Sequence, residues 1–304
     1  LLAVDVEMNT LDGFALTSWE AGYGDFVLRP DLATLRPMPW LEGTVMCLAD
    51  VEHHDGSPVV ESPRQILRAQ IARLAERGWL ANIGSELEFV LFRESYDSAR
   101  EKGYRDLKPA NAYNVDYSIL GTTMVEDVIR PIRLAMKASG LTVEDSKGEC
   151  NLGQHEIAFK YQDALRTCDN HVVYKTGAKE IASQDGMSLT FMAKYNEREG
   201  NSCHIHLSFR GTDGSLVMAD DGADEGLSPL GRAFIAGQIA HFAELALFFA
   251  PNVNSYKRFA AGSFVGAAAT KRRGTSRPAA VRAKPVCSAR RRERCNSEWC
   301  MAAA

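Results

Sequence analysis

The 304-residue sequence has no uninterrupted apolar run approaching the roughly 20 residues that a membrane-crossing helix needs. No basic segment followed by an apolar one stands at its start, so no secretory signal is visible, and the opening Leu1 in place of Met suggests a missing upstream piece. Its seven cysteines form neither a CxxC pair nor a zinc-type spacing, and an odd count without a framework suggests reduced thiols in a cytoplasmic protein. A Walker-type glycine loop and a GxGxxG turn are both lacking, so any phosphate site has to be built from metals and cationic side chains. No internal repeat is present. At 45% hydrophobic and 24% charged residues, the composition excludes a disordered, collagenous or membrane chain and allows two domains with a sizeable core.

What the chain does have is an uneven charge. The net charge of −4 combines 35 Lys+Arg with 39 Asp+Glu, but residues 265–304 alone hold ten basic and two acidic residues. That segment carries +8, against −12 for residues 1–264. Cys287, Cys295 and Cys300 lie in the basic segment, while Cys47, Cys150, Cys168 and Cys203 are scattered through the acidic body.

Residues 4–60 read as short strands and turns, with a turn at Leu11-Asp12-Gly13 and strands at Phe26–Leu28 and Thr44–Leu48. Ser62-Pro63 opens a helix that carries Ile66, Leu67, Ile71 and Leu74 on one face and ends at Gly78. The polar turn residues before it predict a domain boundary near residues 57–62. Beyond it, strands are expected around Leu87–Leu91, Glu149–Lys160, Leu189–Met192 and His204–Phe209. Helices are expected over Val125–Ser139, Asp163–Ser183 and Leu230–Phe249. Strands and helices without regular βαβ spacing favour α+β over a doubly wound sheet.

Alternation along a strand puts Glu86 and Glu88 on one face and Leu87 and Phe89 on the other. Two like charges side by side need water or a cation, so the pair is either a solvated strand face or a metal site. Glu149 and Glu156 flank a Gly153-Gln154 turn and make either a charged hairpin or further ligands. His204 and His206 share a strand face, as a hydrogen-bonded buried pair or as a ligand beside a phosphate-facing donor. Four glutamates with one or two histidines and little sulfur suit Mg²⁺ or Mn²⁺ better than zinc, ions that usually accompany a nucleotide phosphate. Lys257 and Arg258 are candidate cations for that phosphate.

Five segments in this order resemble the successive signatures of type I glutamine synthetases. They are Gly84-Ser85-Glu86-Leu87-Glu88-Phe89, Gly153-Gln154-His155-Glu156, Phe191-Met192-Ala193-Lys194, residues 200–208 (GNSCHIHLS) and residues 252–258 (NVNSYKR). The resemblance covers roughly residues 1–264. It implies an incomplete amino-terminal β-grasp domain over 1–60 and an incomplete catalytic domain of antiparallel strands backed by helices over 61–264. It further implies ATP-dependent conversion of L-glutamate to γ-glutamyl phosphate, which an amine then attacks. Under it, Glu88, Glu149 and Glu156 are ligands of the metal on the glutamate side, and Glu86 and His204 hold the metal of the nucleotide phosphates. His206 and Ser208 contact the nucleotide, Tyr161 packs on the nucleoside, Gly200 belongs to the glutamate-binding loop, and Arg258 clamps carboxylate or phosphate. Asp12 helps bind the amine, and in the family it reaches the neighbouring subunit's site. A homo-oligomeric ring with sites at subunit interfaces is therefore implied, with no membrane or nucleic-acid partner.

Two departures stand out. Six residues after Arg258, where ammonia-using members carry a glutamate, this chain has Phe264. The Ala261–Phe264 stretch is similar to the branch that ligates larger amines, such as polyamines or ethanolamine. Beyond Phe264, the expected Asp-Asn-Arg turn and the glutamate–arginine pair are replaced by the Ala- and Arg-rich residues 265–304. That segment reads as a nucleic-acid-binding or anionic-surface tail, a solvated disordered extension, or a frame-shifted, non-family stretch, and its content of Ala, Arg, Gly and Pro, residues encoded by GC-rich codons, favours the last. The expectation is a ligase architecture of impaired activity, with a non-catalytic nucleotide- and metal-binding paralogue as the alternative. If the frame is shifted, translating the coding DNA near codon 264 in all three frames recovers an Asp-Asn-Arg stretch. Its absence from every frame would make the tail a native extension.

Overall fold

The computed structural model describes residues 8–9, 11–14, 17–22, 24–223, 226–259 and 299–303. The expectations for Phe264 and for residues 265–298 therefore lie outside the described residues. Among the described residues, the amino-terminal part forms three two-stranded antiparallel pairs. β1 (Gly13–Phe14) pairs with β2 (Thr17–Ser18), β3 (Val27–Pro30) with β6 (Ala49–Glu52), and β4 (Arg36–Pro37) with β5 (Val45–Met46). The remainder is built on one antiparallel sheet whose main path runs β13-β12-β7-β9-β8. β7 (Trp79–Phe92) is its long central strand, and β8 (Val143–Gly148) with β9 (Gln154–Phe159) forms a hairpin on one side of it. β10 (Gln162–Asp163) and β11 (Ser188–Thr190) also pair with β7, which is joined on its other side by β12 (Cys203–Gly211). The described part of the basic tail, β13 (Trp299–Ala303), lies as a strand along β12, where the sequence predicts no ordered structure.

Helices back one face of this sheet. α1 (Pro63–Ala75), α2 (Tyr96–Glu101), α3 (Ile119–Thr123) and α4 (Glu126–Ala138) precede the hairpin; α5 (Ala164–Gln184), α6 (Pro229–Phe249) and α7 (Val253–Tyr256) follow it. The four longer elements fall within a few residues of their predicted bounds. The short helices α2, α3 and α7 were not predicted, because four to six residues hold too few apolar repeats to reveal a period. Asp163 caps α5 by accepting a hydrogen bond from the Arg166 backbone N–H at 3.0 Å. Gly78 ends the α1 region at φ +74°, a conformation that suits glycine.

The main core joins Leu87, Phe89 and Leu91 of β7 and Ile157 of β9 to Ile129, Ile132 and Met136 of α4 and to Tyr174, Ala178 and Ile181 of α5. Each large apolar side chain buried here contributes about 1.5–3 kcal/mol. Gly177 lets the layers close up, since a Cβ there would stand 2.7 Å from Met136 Cε and 3.0 Å from the Trp40 ring. A smaller cluster of Phe209, Met218 and Leu227 takes Phe234 and Ile235 from α6. The rest of α6 is largely uncovered among the described residues. By length and composition α6 could cross a membrane, although Arg232, His241 and Glu244 interrupt its apolar surface.

The apolar stripe predicted for α1 is only half covered, and no residue of α1 is fully buried. Polar contacts anchor it instead. Arg64 donates to Asp31 Oδ2 and Asp50 Oδ1, both at 2.6 Å, and to both carboxylate oxygens of Asp169 at 3.0 Å. Arg68 reaches the same Asp31 and Asp50 at 3.1 Å. Asp31 directly follows β3, Asp50 lies in β6 and Asp169 in α5, so one guanidinium on α1 ties the amino-terminal part and two helices together. Arg36 Nη1 donating to Asn170 Oδ1 at 2.7 Å and Trp40 Nε1 to Glu180 Oε2 at 2.5 Å extend the same seam. Replacing Arg64 leaves the buried Asp169 without its ion pair and Asp31 and Asp50 with Arg68 alone, so R64M is expected to lose about 3 kcal/mol in urea unfolding. R64K keeps the charge but not the fork, and should lose about half as much.

Candidate functional site

On the face of β7 turned away from the helices, strand alternation presents Gly84, Glu86 and Glu88 together, while Leu87 and Phe89 enter the core. The register then brings in partners from distant parts of the sequence. Glu156 of β9 lies opposite Glu88, Lys147 of β8 opposite Glu156, and His204 of β12 opposite Glu86. Glu149 follows β8, its backbone N–H bonded to the Gln154 carbonyl at 2.9 Å. The outcome is two groups whose ligand atoms lie within 4.8 Å of one another: Glu86, Glu156 and His204 in one, and Glu88, Glu149 and Glu156 in the other. Glu156, almost fully buried, belongs to both. The structure thus brings together all five residues that the sequence proposes as metal ligands. A third group, Asp116 with Glu149 and Cys150, was not foreseen, and no spacing in the sequence marks it.

Hydrogen bonds fix the first-row carboxylates. Glu88 accepts from Gln154 Nε2 at 2.9 Å, from the Ser202 backbone N–H at 2.8 Å and from the Ser202 hydroxyl at 2.5 Å. Gln154 Nε2 also lies 3.0 Å from the Gly200 carbonyl, which couples the hairpin to the loop before β12. Glu86 is gripped by both histidines, with His204 Nδ1 at 3.0 Å and His206 Nε2 at 3.1 Å. Those contacts, His204 first, hold the Glu86 carboxyl well below the usual carboxylate range.

The other half of the site is electrostatically costly. Burial, followed by the charges of Glu88 and Glu156, pushes Glu149 up to about 7. Burial also raises Glu156, against the opposing pull of Lys147. The Lys147 ammonium contacts Glu156 Oε1 and lies 3.4 Å from Glu149 Oε1. Burial works against its charge, yet Glu156 and Glu149 outweigh that and hold its pKa above the ordinary lysine value. Oxygen and imidazole donors, buried and of like charge, are the donor set of a hard divalent cation, so the residues present fit Mg²⁺ or Mn²⁺.

The remaining predicted residues divide. Arg258 is buried, and Gly200 packs against it: a Cβ on Gly200 would stand 3.0 Å from Arg258 Cγ and collide with the Ala193 carbonyl. Burial lowers the Arg258 pKa, while Glu88 and Glu199 pull it up, so the guanidinium sits within the field of the Glu88 group. A Cβ on Gly84 would stand 3.5 Å from Tyr161 Cβ and 3.7 Å from His206 Cβ, which places those three positions on one patch beside Glu86. Ser208, opposite Asn82, lies two residues further along the same face of β12. Asp12 is exposed, immediately before β1, and among the described contacts it joins none of these groups. Sequence reasoning missed the contacts of Lys147 and Ser202 with the glutamates. Lys147 is two residues from Glu149, but its approach to Glu156 depends on hairpin register.

Residues 60–298 match the glutamine synthetase catalytic domain. The gamma-glutamylethanolamide synthetase GlnA4 of Streptomyces coelicolor is 61% identical over 264 residues, 87% of this chain and 56% of that protein. A glutamate–isopropylamine ligase of a Pseudomonas species is 37% identical over 267 residues, 88% of this chain and 58% of the relative. A solved structure titled apo GmaS without ligand superposes with a TM-score of 0.71 at 33% identity, covering 78% of this chain and 55% of that one. The chain thus spans about half the length of the curated relatives it matches.

Without metal, the raised Glu149 carboxyl has a direct consequence for stability. A carboxyl at about 7 in the fold and near 4.5 when unfolded binds more proton in the folded state, so its contribution falls as pH rises from about 4.5 to 7. The loss amounts to about 3 kcal/mol. E149Q should therefore unfold at a higher temperature than wild type at pH 8 in chelator, and the gap should close at pH 4.5. Scanning calorimetry at the two pH values measures both.

Proposed function

The chain belongs to the glutamine synthetase family, and from that membership we propose that it derives from an ATP-dependent glutamate–amine ligase. In the proposed reaction L-glutamate takes the γ-phosphoryl group of ATP to give γ-glutamyl phosphate and ADP. The amine nitrogen then attacks the γ-carbonyl, phosphate leaves, and a γ-glutamyl amide remains. The observation that carries this reading is the meeting of Glu86, Glu88, Glu149, Glu156 and His204 in two groups that share Glu156.

Glu88, Glu149 and Glu156 would hold one Mg²⁺ or Mn²⁺ and Glu86 with His204 a second. Such ions supply charge neutralisation for a transferring phosphoryl group and its acceptor carboxylate. The chain's own residues have separate tasks. Gln154 and Ser202 hold Glu88 in one orientation through three hydrogen bonds, so its oxygens need not reorganise when charge develops. Arg258, buried against Gly200, meets the glutamate carboxylate or the phosphoryl oxygens. His206 and Ser208 meet the nucleotide, with Tyr161 as the apolar surface for its base. We assign the amino-terminal strand pairs to an incomplete β-grasp domain, with Asp12 serving a neighbouring subunit's site in a cytoplasmic ring. Its exposure is consistent with that task.

For the amine, we propose one with a carbon chain, with ethanolamine ahead of polyamines and ammonia. Phe264 stands where ammonia-using members place a proton-accepting glutamate, and an apolar residue there favours a carbon-bearing acceptor. The relatives named for ethanolamide and isopropylamine products agree with this choice. Residues 265–304 carry no Asp-Asn-Arg stretch, and we read this segment as not supplying the cations expected around the phosphoryl group. That observation also favours the second reading, a binding protein without turnover.

Phosphate release in the presence of ATP, Mg²⁺ and glutamate, with ethanolamine, putrescine or ammonia as acceptor, separates these readings. We expect ADP binding with turnover at least a hundredfold below that of a full-length relative, and ethanolamine as the best acceptor. Turnover equal to the relative's would refute the impairment, and preference for ammonia would refute the choice of amine.

A further inference from the structure

Lys147 occupies a position that neither the motifs nor the proposed chemistry accounts for. Its ammonium contacts Oε1 of Glu156, the carboxylate common to both ligand groups, and stands 3.4 Å from Oε1 of Glu149. Glu86 and the Tyr117 ring also face it, the ring centroid lying 5.8 Å from Nζ. A lysine placed this way does part of what a metal ion would do, supplying positive charge to buried carboxylates crowded within 4.8 Å. It supplies one unit where a divalent ion supplies two, and it is tethered, so it carries no entropic cost of capture from solution.

The two cations compete for the same atoms. An ion bound to Glu149 and Glu156 needs the oxygens that Lys147 now engages, and a divalent ion beside an ammonium is repelled by it. The tether offers a way out. Lysine has a flexible four-carbon stem, and the Tyr117 ring, already 5.8 Å from Nζ while the ammonium engages Glu156, is a face towards which it can withdraw. We propose that Lys147 is an exchangeable internal counter-ion, which holds the Glu149–Glu156 pair when no metal is bound and is expelled by the divalent cation, thereby setting the affinity of that position. The inference rests on the reading of these glutamates as metal ligands and goes beyond it: one non-ligand residue weakens metal binding and keeps the empty site folded.

The direction of the effect separates this role from a structural one. A lysine that merely supports the site would, when removed, weaken metal binding; an internal competitor, when removed, strengthens it. Mn²⁺ binding to the full chain, followed by the electron paramagnetic resonance signal of free Mn²⁺, is the measurement. K147M should bind Mn²⁺ at least tenfold more tightly than wild type, and K147R, which keeps the charge, should stay within about threefold of wild type. Unchanged or weaker binding by K147M overturns the exchange while leaving the metal reading intact. Binding to neither wild type nor K147M overturns the metal reading, and the exchange with it. The wild-type chain provides a second test that needs no variant to fold. Acetylation of Lys147 by acetic anhydride, read by mass spectrometry of its peptide, should be several-fold faster with saturating Mn²⁺ than in chelator. An equal or slower rate with Mn²⁺ overturns the proposal.

Discussion

The architecture depends on placing several carboxylates side by side beneath a protein surface and then neutralising them. Glu88 and Glu156 are buried, Glu149 is nearly so, and Glu86 lies beside them. Isolated buried charges of one sign are untenable in a medium of low dielectric, so each carboxylate has been given a donor or a cation. Three hydrogen bonds serve Glu88, two imidazoles serve Glu86, and Lys147 serves Glu156 and Glu149. The residual strain appears on Glu149, whose carboxyl is displaced to about 7. The site is built against its own stability.

The same electrostatic problem is solved differently at the seam between the amino-terminal strands and the helices. There three aspartates converge on Arg64, with Arg68 assisting. A guanidinium presents five donors in a rigid plane and can satisfy several carboxylates at once without moving. Lysine has a single rotatable head and can let go. Arginine holds the permanent joint, and lysine stands where charge has to be exchanged.

Much of the site was legible in the sequence because strand parity is a strict rule. Glu86 with Glu88, and His204 with His206, had to share faces once their segments were strands, and the Gly153 turn had to fold Glu149 back towards Glu156. Helices with marked ends, at Ser62-Pro63 and Asp163, were equally readable. What the chain does not disclose locally is register. Nothing in residues 143–148 says that Lys147 rather than Ser146 lies opposite Glu156, since that depends on the irregularity between Val143 and Asp145 and on the turn geometry. The half-covered stripe of α1 misled for a related reason. Periodicity reports which residues could be buried together, whereas Arg64 and Arg68 show that polar contacts held the helix in place.

β7 is paired along nearly its whole length by β12 and β11 on one side, and over residues 82–83 and 86–90 by β10 and β9 on the other. Every carboxylate of the site is on this strand or reaches it through one neighbour. A strand hydrogen-bonded on both edges cannot fray, and its amides become accessible to solvent only when the whole sheet comes apart. Amide exchange along residues 82–90 therefore reports the global opening of the domain. Loss of ligand geometry and loss of the fold become a single cooperative event, and a partly unfolded molecule with an intact site has no place on this landscape.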